Sequence, residues 1–412
     1  MTHIPGFDMD YVLNARVGGP APGEFSLDAA QKVHRFHRRI PGYGETPLAN
    51  LSSLAAAWGV GGVFVKDESK RFGLNAFKAL GGSYAVARLL SDKLGLDIDS
   101  VELDQLRGPE ARERIGRITL ATATDGNHGR GVAWTAATLG QKAVVYMPKG
   151  AAPARVESVR GHGAEVIVTD LNYDDTVRLC CFEAEKNGWH VVQDTAWEGY
   201  TQVPTWIMQG YLTMCHEALE RLAAYGINPT HVFLQAGVGA MAGAVAGYLA
   251  GRFCGAPPTI VIVEPSNAAC IYASAVAGDG KPHAVAGALD TIMAGLACGE
   301  PNTIGWEILK SFARCFLSCG DAVAADGIRI LAHPLPGDPA VEAGESGSVG
   351  IGVLRLLATQ PAFRAVKEAI GLDSRSIVLC FNTEGATDPV NYSDIVWLGK
   401  YPSETLHPLR ET

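Results

Sequence analysis

Short β-branched apolar runs alternate along this chain with longer helix-patterned segments. No other feature restricts the fold as much, because this is the pattern of a parallel sheet covered by helices on both faces. Strands are expected at 63–66, 118–123, 143–147, 165–169, 190–193, 232–235, 259–264 and 376–381, with helices at 77–90, 128–139, 154–160, 173–186, 203–222, 241–252 and 346–357. Four of the strands and three of the helices crowd between 117 and 193, compactly enough for a small α/β domain inserted in a larger one built from 1–116 and 194–412. Two doubly wound domains with mostly parallel sheets place a ligand in the cleft at the carboxyl ends of the strands. The polar stretch 97–117 reads as a surface connection, and no repeat of solenoid period is visible.

Composition removes several function classes. A net charge of −9 without a Lys/Arg block argues against a nucleic-acid partner. Nine cysteines with no CxxC pair and no Cys/His spacing predict no metal site and fit a reducing cytoplasm. The opening MTHIPGFDMD lacks the charged and apolar regions of a secretion signal, so a cytoplasmic location is expected. Residues 232–251 imitate a membrane span, with Gly239, Gly243, Gly247 and Gly251 at GxxxG spacing. Their Gly/Ala content after Val232-Phe233-Leu234 instead predicts a strand, a turn and a helix, and no membrane.

Three segments carry candidate chemistry. Lys78, in Asn75-Ala76-Phe77-Lys78-Ala79-Leu80-Gly81-Gly82, is expected one turn into an apolar helix. Burial there would lower its pKa and leave a nucleophilic amine, unless the side chain simply snorkels to solvent. Gln235-Ala236-Gly237-Val238-Gly239-Ala240-Met241-Ala242-Gly243 joins a strand to a helix with hardly any side chains. Its backbone N–H groups can converge on an anion at the helix N-terminus, although a close-packed turn would read the same way. Thr122-Ala123-Thr124-Asp125-Gly126-Asn127-His128-Gly129 is a second strand-to-helix loop, suited to binding a carboxylate or to capping its helix.

Taken in order with Thr46-Pro47-Leu48 and Lys66-Asp67-Glu68-Ser69, these segments resemble the TPL…K-x-E…SFKxRG…SSGNHG…glycine-loop succession of threonine and serine dehydratases. Val263-Glu264-Pro265 and Glu345-Ser346-Gly347 match further landmarks, so the resemblance runs from about Thr46 to Asp388. It implies a fold type II enzyme of the tryptophan-synthase-β-like group that uses pyridoxal 5'-phosphate. By that resemblance Lys78 carries the cofactor as a Schiff base, and Gly237, Val238, Gly239, Ala240 and Met241 hold its phosphate. Asn127 bonds the pyridine hydroxyl oxygen, and Thr383 partners the pyridine nitrogen, with Asn382 as the alternative. Thr124, Asp125, Gly126 and His128 would receive the substrate.

The departures narrow the reading. Leu80 replaces an arginine, and Asp125 replaces a small serine-type residue in the loop that takes a substrate carboxylate. A second carboxylate there suits a substrate bringing an extra ammonium. The Asp-Gly-Asn-His form, with Gln193-Asp194-Thr195-Ala196-Trp197-Glu198-Gly199-Tyr200, resembles diaminopropionate ammonia-lyases. That resemblance implies α,β-elimination of D- and/or L-2,3-diaminopropionate to pyruvate and two ammonia molecules. Lys78, Asp125 and Asp194 would be the catalytic groups, in a homodimer. A serine/threonine dehydratase is the alternative, and a non-catalytic phospholigand-binding α/β protein a remoter one. Cys270 and Cys298 flank a Gly/Ala-rich connection and are expected to approach each other, close enough to bridge on oxidation.

Overall fold

The structure, a computed structural model, describes residues 1–402. Its strands are β1 (Thr2–His3), β2 (Met9–Leu13), β3 (Leu48–Asn50), β4 (Gly62–Asp67), β5 (Thr119–Ala123), β6 (Lys142–Met147), β7 (Glu165–Val168), β8 (His190–Val191), β9 (His231–Gln235), β10 (Thr259–Pro265), β11 (Ala313–Cys319) and β12 (Ile377–Asn382). They form an eight-stranded sheet, β1-β2-β11-β10-β9-β12-β4-β3, and a four-stranded sheet, β7-β6-β5-β8. The small sheet is wholly parallel. The large one is parallel from β11 through β4, with antiparallel strands at both edges.

All eight expected strands are present, with ends moved by at most two residues. The interior ones are unbroken apolar runs because both of their faces are covered. Every residue of β4 and of β9 is buried, Lys66 and Gln235 included. Strand β11 was not foreseen. Arg314, Ser318 and two cysteines interrupt its apolar pattern, and helix Thr303–Phe312 runs directly into it. The stretch 97–117 is a largely exposed connection, as expected, but it is ordered and anchored. It forms helices Leu103–Arg107 and Pro109–Ile115, and Val101, Leu106 and Ala111 join the main core.

That core is shared between the sheets. One cluster runs from Leu120 and Val145 of the small sheet through Leu80 and Val132 to Val232 and Leu234 of the large one. Helix Ala79–Leu94 packs on both Gln202–Ala224 and Asn127–Thr138. The 232–251 stretch is β9, the glycine loop and helix Ala240–Arg252, and no described helix is long and apolar enough to cross a membrane. Its glycine spacing serves close packing. A Cβ on Gly243 would lie 2.7 Å from the Cα of Gly305, and one on Gly247 would press on Pro22 and Phe25.

Candidate active site

The carboxyl ends of β9, β12 and β5 open on one chamber. It is lined by Lys78, Asp125, Asn127, His128, Asp194, the run Gln235–Ala242, Ser346, Thr383 and Glu384. Two backbone pairings bring Lys78 there. Phe77 donates its N–H to the carbonyl of Thr383 at 3.1 Å, and Gly385 donates to that of Asn75 at 3.0 Å. Asn75 takes up φ +57° to make this turn, a conformation asparagine tolerates better than most residues. Lys78 is consequently the residue that precedes helix Ala79–Leu94, not one a turn inside it.

The Lys78 Nζ donates to Asp194 Oδ2 and lies 5.3 and 5.8 Å from the ring centres of Phe77 and Tyr211. Burial by itself would depress the amine, as expected from sequence. The neighbouring Asp194 and Tyr211 outweigh it, and the pKa is held well above the ordinary lysine value. Asp194 shows the reverse balance. Burial pushes its carboxyl up, while Lys78 and then His128 pull it down to about 2. The pair is therefore an ammonium–carboxylate pair, and a neutral Lys78 amine needs its proton removed or its nitrogen covalently engaged.

Asp125 is different. Burial pushes its carboxyl up to about 6 against the opposing pull of Arg155 and Lys78. Its Oδ2 is buried without a hydrogen bond, 4.0 Å from Arg155 Nη1. Its neighbour Gly126, at φ +149°, has the side chain of Arg155 3.1–3.3 Å from where a Cβ would stand. Thr124 and Gly126 do not line the chamber. Thr124 Oγ1 accepts from Gly126 N–H and Gly129 N–H at 2.9 and 3.0 Å, which makes it the brace of the loop. His128 Nε2 is bonded to the carbonyl of Val192 at 2.7 Å, and its Nδ1 is left without a partner in the chamber wall.

The glycine loop has the features an anion cradle needs. No side chain caps helix Ala240–Arg252, so its first N–H groups have no competing acceptor there. Gly239 sits at φ +88° with Ile271 Cδ1 only 2.8 Å from a would-be Cβ, so glycine is required twice over. Cys270 Sγ donates to the carbonyl of Gly237 at 3.5 Å, and Cys298 Sγ lies 3.4 Å from where a Cβ on Gly237 would be. The two cysteines flank the same glycine as buried free thiols.

Of the two residues weighed for a ring nitrogen, Thr383 lines the chamber, while Asn382 Nδ2 is spent on Asp67 Oδ1 and the carbonyl of Glu342. Gln235 Nε2 donates to Thr383 Oγ1 at 2.9 Å, which leaves the hydroxyl proton to be given elsewhere. Sequence reasoning missed Glu384. Its Oε2 accepts from Asn127 Nδ2 and its Oε1 from Ser346 N–H at 3.1 Å. Arg155, Tyr173 and Ser346 were also missed as site residues. The only signal was the Glu345-Ser346-Gly347 landmark, and nothing in the local pattern marks the other two. A lysine, an uncapped glycine loop, a free hydroxyl donor and several unpartnered polar atoms around one chamber fit a phosphorylated pyridine aldehyde.

Comparison with known proteins gives the same direction. The family model described as pyridoxal-phosphate dependent enzyme matches residues 40–359. The diaminopropionate ammonia-lyase of Escherichia coli strain K12 is 52% identical over 394 residues, covering 95% of this chain and 97% of that protein. That of Salmonella typhimurium strain LT2 is also 52% identical, over 93% of this chain and 95% of its own length. The crystal structure of the E. coli enzyme in complex with an aminoacrylate-PLP azomethine reaction intermediate superposes with a TM-score of 0.89 at 50% identity, covering 96% of this chain and 98% of that one. Its complex with D-serine gives 0.90 at 51% identity and the same coverage. Maize serine racemase, at 20% identity and a TM-score of 0.65 over 88% of this chain and 94% of its own, shares the fold.

Proposed function

The chain belongs to the pyridoxal-phosphate dependent enzyme family, among the diaminopropionate ammonia-lyases, and from that premise we propose that it eliminates ammonia from 2,3-diaminopropionate. With one water consumed, the products are pyruvate and two ammonia molecules. The observation that carries this reading is Asp125, a half-buried carboxylate with one buried, unpartnered oxygen, in a loop where dehydratases place a small neutral residue.

When bound, pyridoxal phosphate supplies the electron sink for the pair left at Cα. The N–H groups of Gly237 to Met241 hold its phosphate, and Asn127, fixed by Glu384, presents an amide to the ring hydroxyl. Thr383 offers a neutral hydroxyl proton to the ring nitrogen, which suits elimination because it does not force ring protonation. Lys78, once free of the cofactor, has its amine aimed by Asp194 and takes or returns a proton at Cα from one side. Asp125 reaches Cα from the loop side and serves the other enantiomer. The leaving β-amine is an ammonium near neutral pH, so the protein need only hold the cation, and Asp125 does so electrostatically. Helix N-terminal donors of the Asp125–His128 loop receive the substrate carboxylate.

Residues 117–193 act as the small domain in this scheme, supported by a four-stranded sheet drawn only from 119–191. A cytoplasmic homodimer completes the reading. The test is stoichiometric: ammonia released per pyruvate formed, with D- and L-2,3-diaminopropionate and with D- and L-serine. Two ammonia per pyruvate and a preference for the diamine support the proposal. Turnover of serine with none of the diamine makes the enzyme a dehydratase.

A further inference from the structure

Arg155 is a thinly bonded cation just outside the chamber, in the wall of the cavity that adjoins it. Its residue surface is 6% exposed, yet its Nε has no hydrogen-bond partner. Nη2 donates to Thr387 Oγ1 at 3.2 Å, and Nη1 stands 4.0 Å from Asp125 Oδ2, beyond hydrogen-bonding range. A buried guanidinium carries five donors and is costly to leave so thinly bonded. What surrounds it accounts for its retention. Asp125, Glu384, Glu345 and Asp388 all favour its charged form, and it lines a second, outer cavity that meets the chamber at Asp125 and Tyr173. The Thr387 hydroxyl that accepts from Arg155 itself donates to Glu384 Oε2 at 3.3 Å, and Glu384 holds Asn127. One cation thus faces the acid on one wall across 4.0 Å and reaches the amide on the other through Thr387 and Glu384.

We propose that Arg155 is a positioning residue for the elimination: across the mouth between the two cavities it keeps Asp125 ionised and its free oxygen turned into the chamber. The inference rests on the reading of Asp125 as a catalytic acid–base group. The other groups facing Asp125 are Lys78, ahead of helix Ala79–Leu94, and Glu384, after β12. Tyr173 and Cys298 also stand near it, and both titrate far above neutrality. Lys78 is already committed to Asp194, so Arg155 is the cation left to stabilise the Asp125 carboxylate. Glu345, which burial pushes up to about 7, is the group whose titration has to be told apart.

The experiment uses holoenzyme carrying Arg155→Met, Arg155→Lys or Arg155→Gln, each alone and combined with Asp125→Asn. For both enantiomers of 2,3-diaminopropionate, kcat/KM is followed against pH, with the dissociation constant of pyridoxal phosphate as a second readout. An infrared difference titration follows the carboxylic-acid C=O band that Asp125→Asn removes. An opposite charge at this range shifts a carboxyl by roughly 1 unit or more. Arg155→Met should therefore move the acid limb and the infrared titration of Asp125 upward by at least about that much, with cofactor affinity within about twofold of wild type. Arg155→Lys should restore most of the shift. Arg155→Gln, which retains a donor for Thr387, should behave like Met and replaces it if that variant does not fold. Unmoved infrared and kinetic titrations in the charge-neutral variants overturn the proposal. So does a limb that still shifts in the Asp125→Asn background, which would point to Glu345. Wild-type rates in Asp125→Asn alone would instead remove Asp125 from catalysis. The infrared titration would then still report whether Arg155 governs its charge.

Discussion

Two clusters of buried charge lie within this fold, and they are built on opposite plans. In the first, Lys66 donates to Glu217 at 2.6 Å and to the carbonyl of Thr46 at 2.7 Å. Arg71 donates to both oxygens of Glu68 and both of Glu217. Tyr43 and Thr46 add a hydroxyl each, at 2.6 and 2.5 Å. Two cations meet two anions, all essentially inaccessible to water, and their hydrogen bonds close on themselves. In the second, the chamber and the wall beside it, Asp125 Oδ2, His128 Nδ1, Arg155 Nε and Ser346 Oγ have no hydrogen-bond partner. A buried polar set that completes itself stiffens a fold, whereas one left incomplete is a place where something else must bind. The same residue types occur in both clusters, so burial alone does not mark function; several missing partners gathered around one chamber set the second cluster apart.

Lys78→Ala should show the largest effect, because it removes the one group expected to bond the cofactor covalently. Turnover should vanish while the fold persists. Borohydride reduction followed by peptide mapping should label Lys78 in the wild type. A label on Lys66 would exchange the roles of the two clusters, and one on Lys149 would move the chemistry to the outer cavity.

Asp125→Asn comes next, with a loss on the scale of general acid–base catalysis, ~10²- to 10⁴-fold. One carboxylate lies on one face of Cα, so the loss should differ sharply between the D and L substrates. The wild-type dependence has a definite sign: the base form is needed and its pKa is pushed up to about 6, so kcat/KM should fall as pH drops through that value. The Asn variant should lose this limb while keeping cofactor affinity and spectrum. Asp125 does not cap its helix, so near-wild-type rates on both enantiomers would remove it from the chemistry altogether.

For the closed cluster the expectation concerns stability instead. Glu217→Ala leaves Lys66 without its counter-charge and Arg71 with Glu68 alone, and unpairing a buried charge typically costs about 3–5 kcal/mol. Denaturant titration of the cofactor-free and loaded protein should show the same loss in both. A loss confined to the loaded form would tie this cluster to the site after all.

Much of this was legible in the sequence, and what was not has a physical reason. Period and β-branching located the buried strands because those strands are apolar on both faces. Strand β11 broke that pattern with Arg314 and Ser318 near its ends and stayed hidden. Asp125, Asn127 and the glycine loop stood out because each falls at a strand-to-helix turn, where local pattern and ligand geometry coincide, and Lys78 because it is a lone cation among apolar residues at a helix start. Glu384, Arg155 and Tyr173 reach the chamber only through long-range packing of β12 and two helices of the small sheet, and no short window carries that information. The chemistry of Lys78 was read with the wrong sign for the free side chain. Burial was foreseen, but the counter-charge of Asp194, 116 residues later in the chain, was not.

The smallest expected effects provide the sharpest contrast, because they compare two hydroxyls at nearly equal burial. Thr46 and Ser346 are 6% and 3% exposed. Thr46 Oγ1 donates to Glu68 and accepts from Arg71, so Thr46→Val keeps the shape and leaves two charged partners short of a bond. Losing a hydrogen bond to a charged group costs roughly 1.5–3 kcal/mol. Ser346 Oγ bonds to nothing, so Ser346→Ala removes a buried hydroxyl whose desolvation is uncompensated, and the cofactor-free protein should be unchanged or slightly more stable. The difference should reappear on loading. If the chamber's open positions are ones a ligand completes, pyridoxal phosphate followed by D-serine should raise the melting temperature of wild type more than that of Ser346→Ala. The increment for Thr46→Val should match wild type. Equal increments in all three proteins would make the open Ser346 hydroxyl a packing defect, and the distinction between the two clusters would then rest on Asp125, His128 and Arg155.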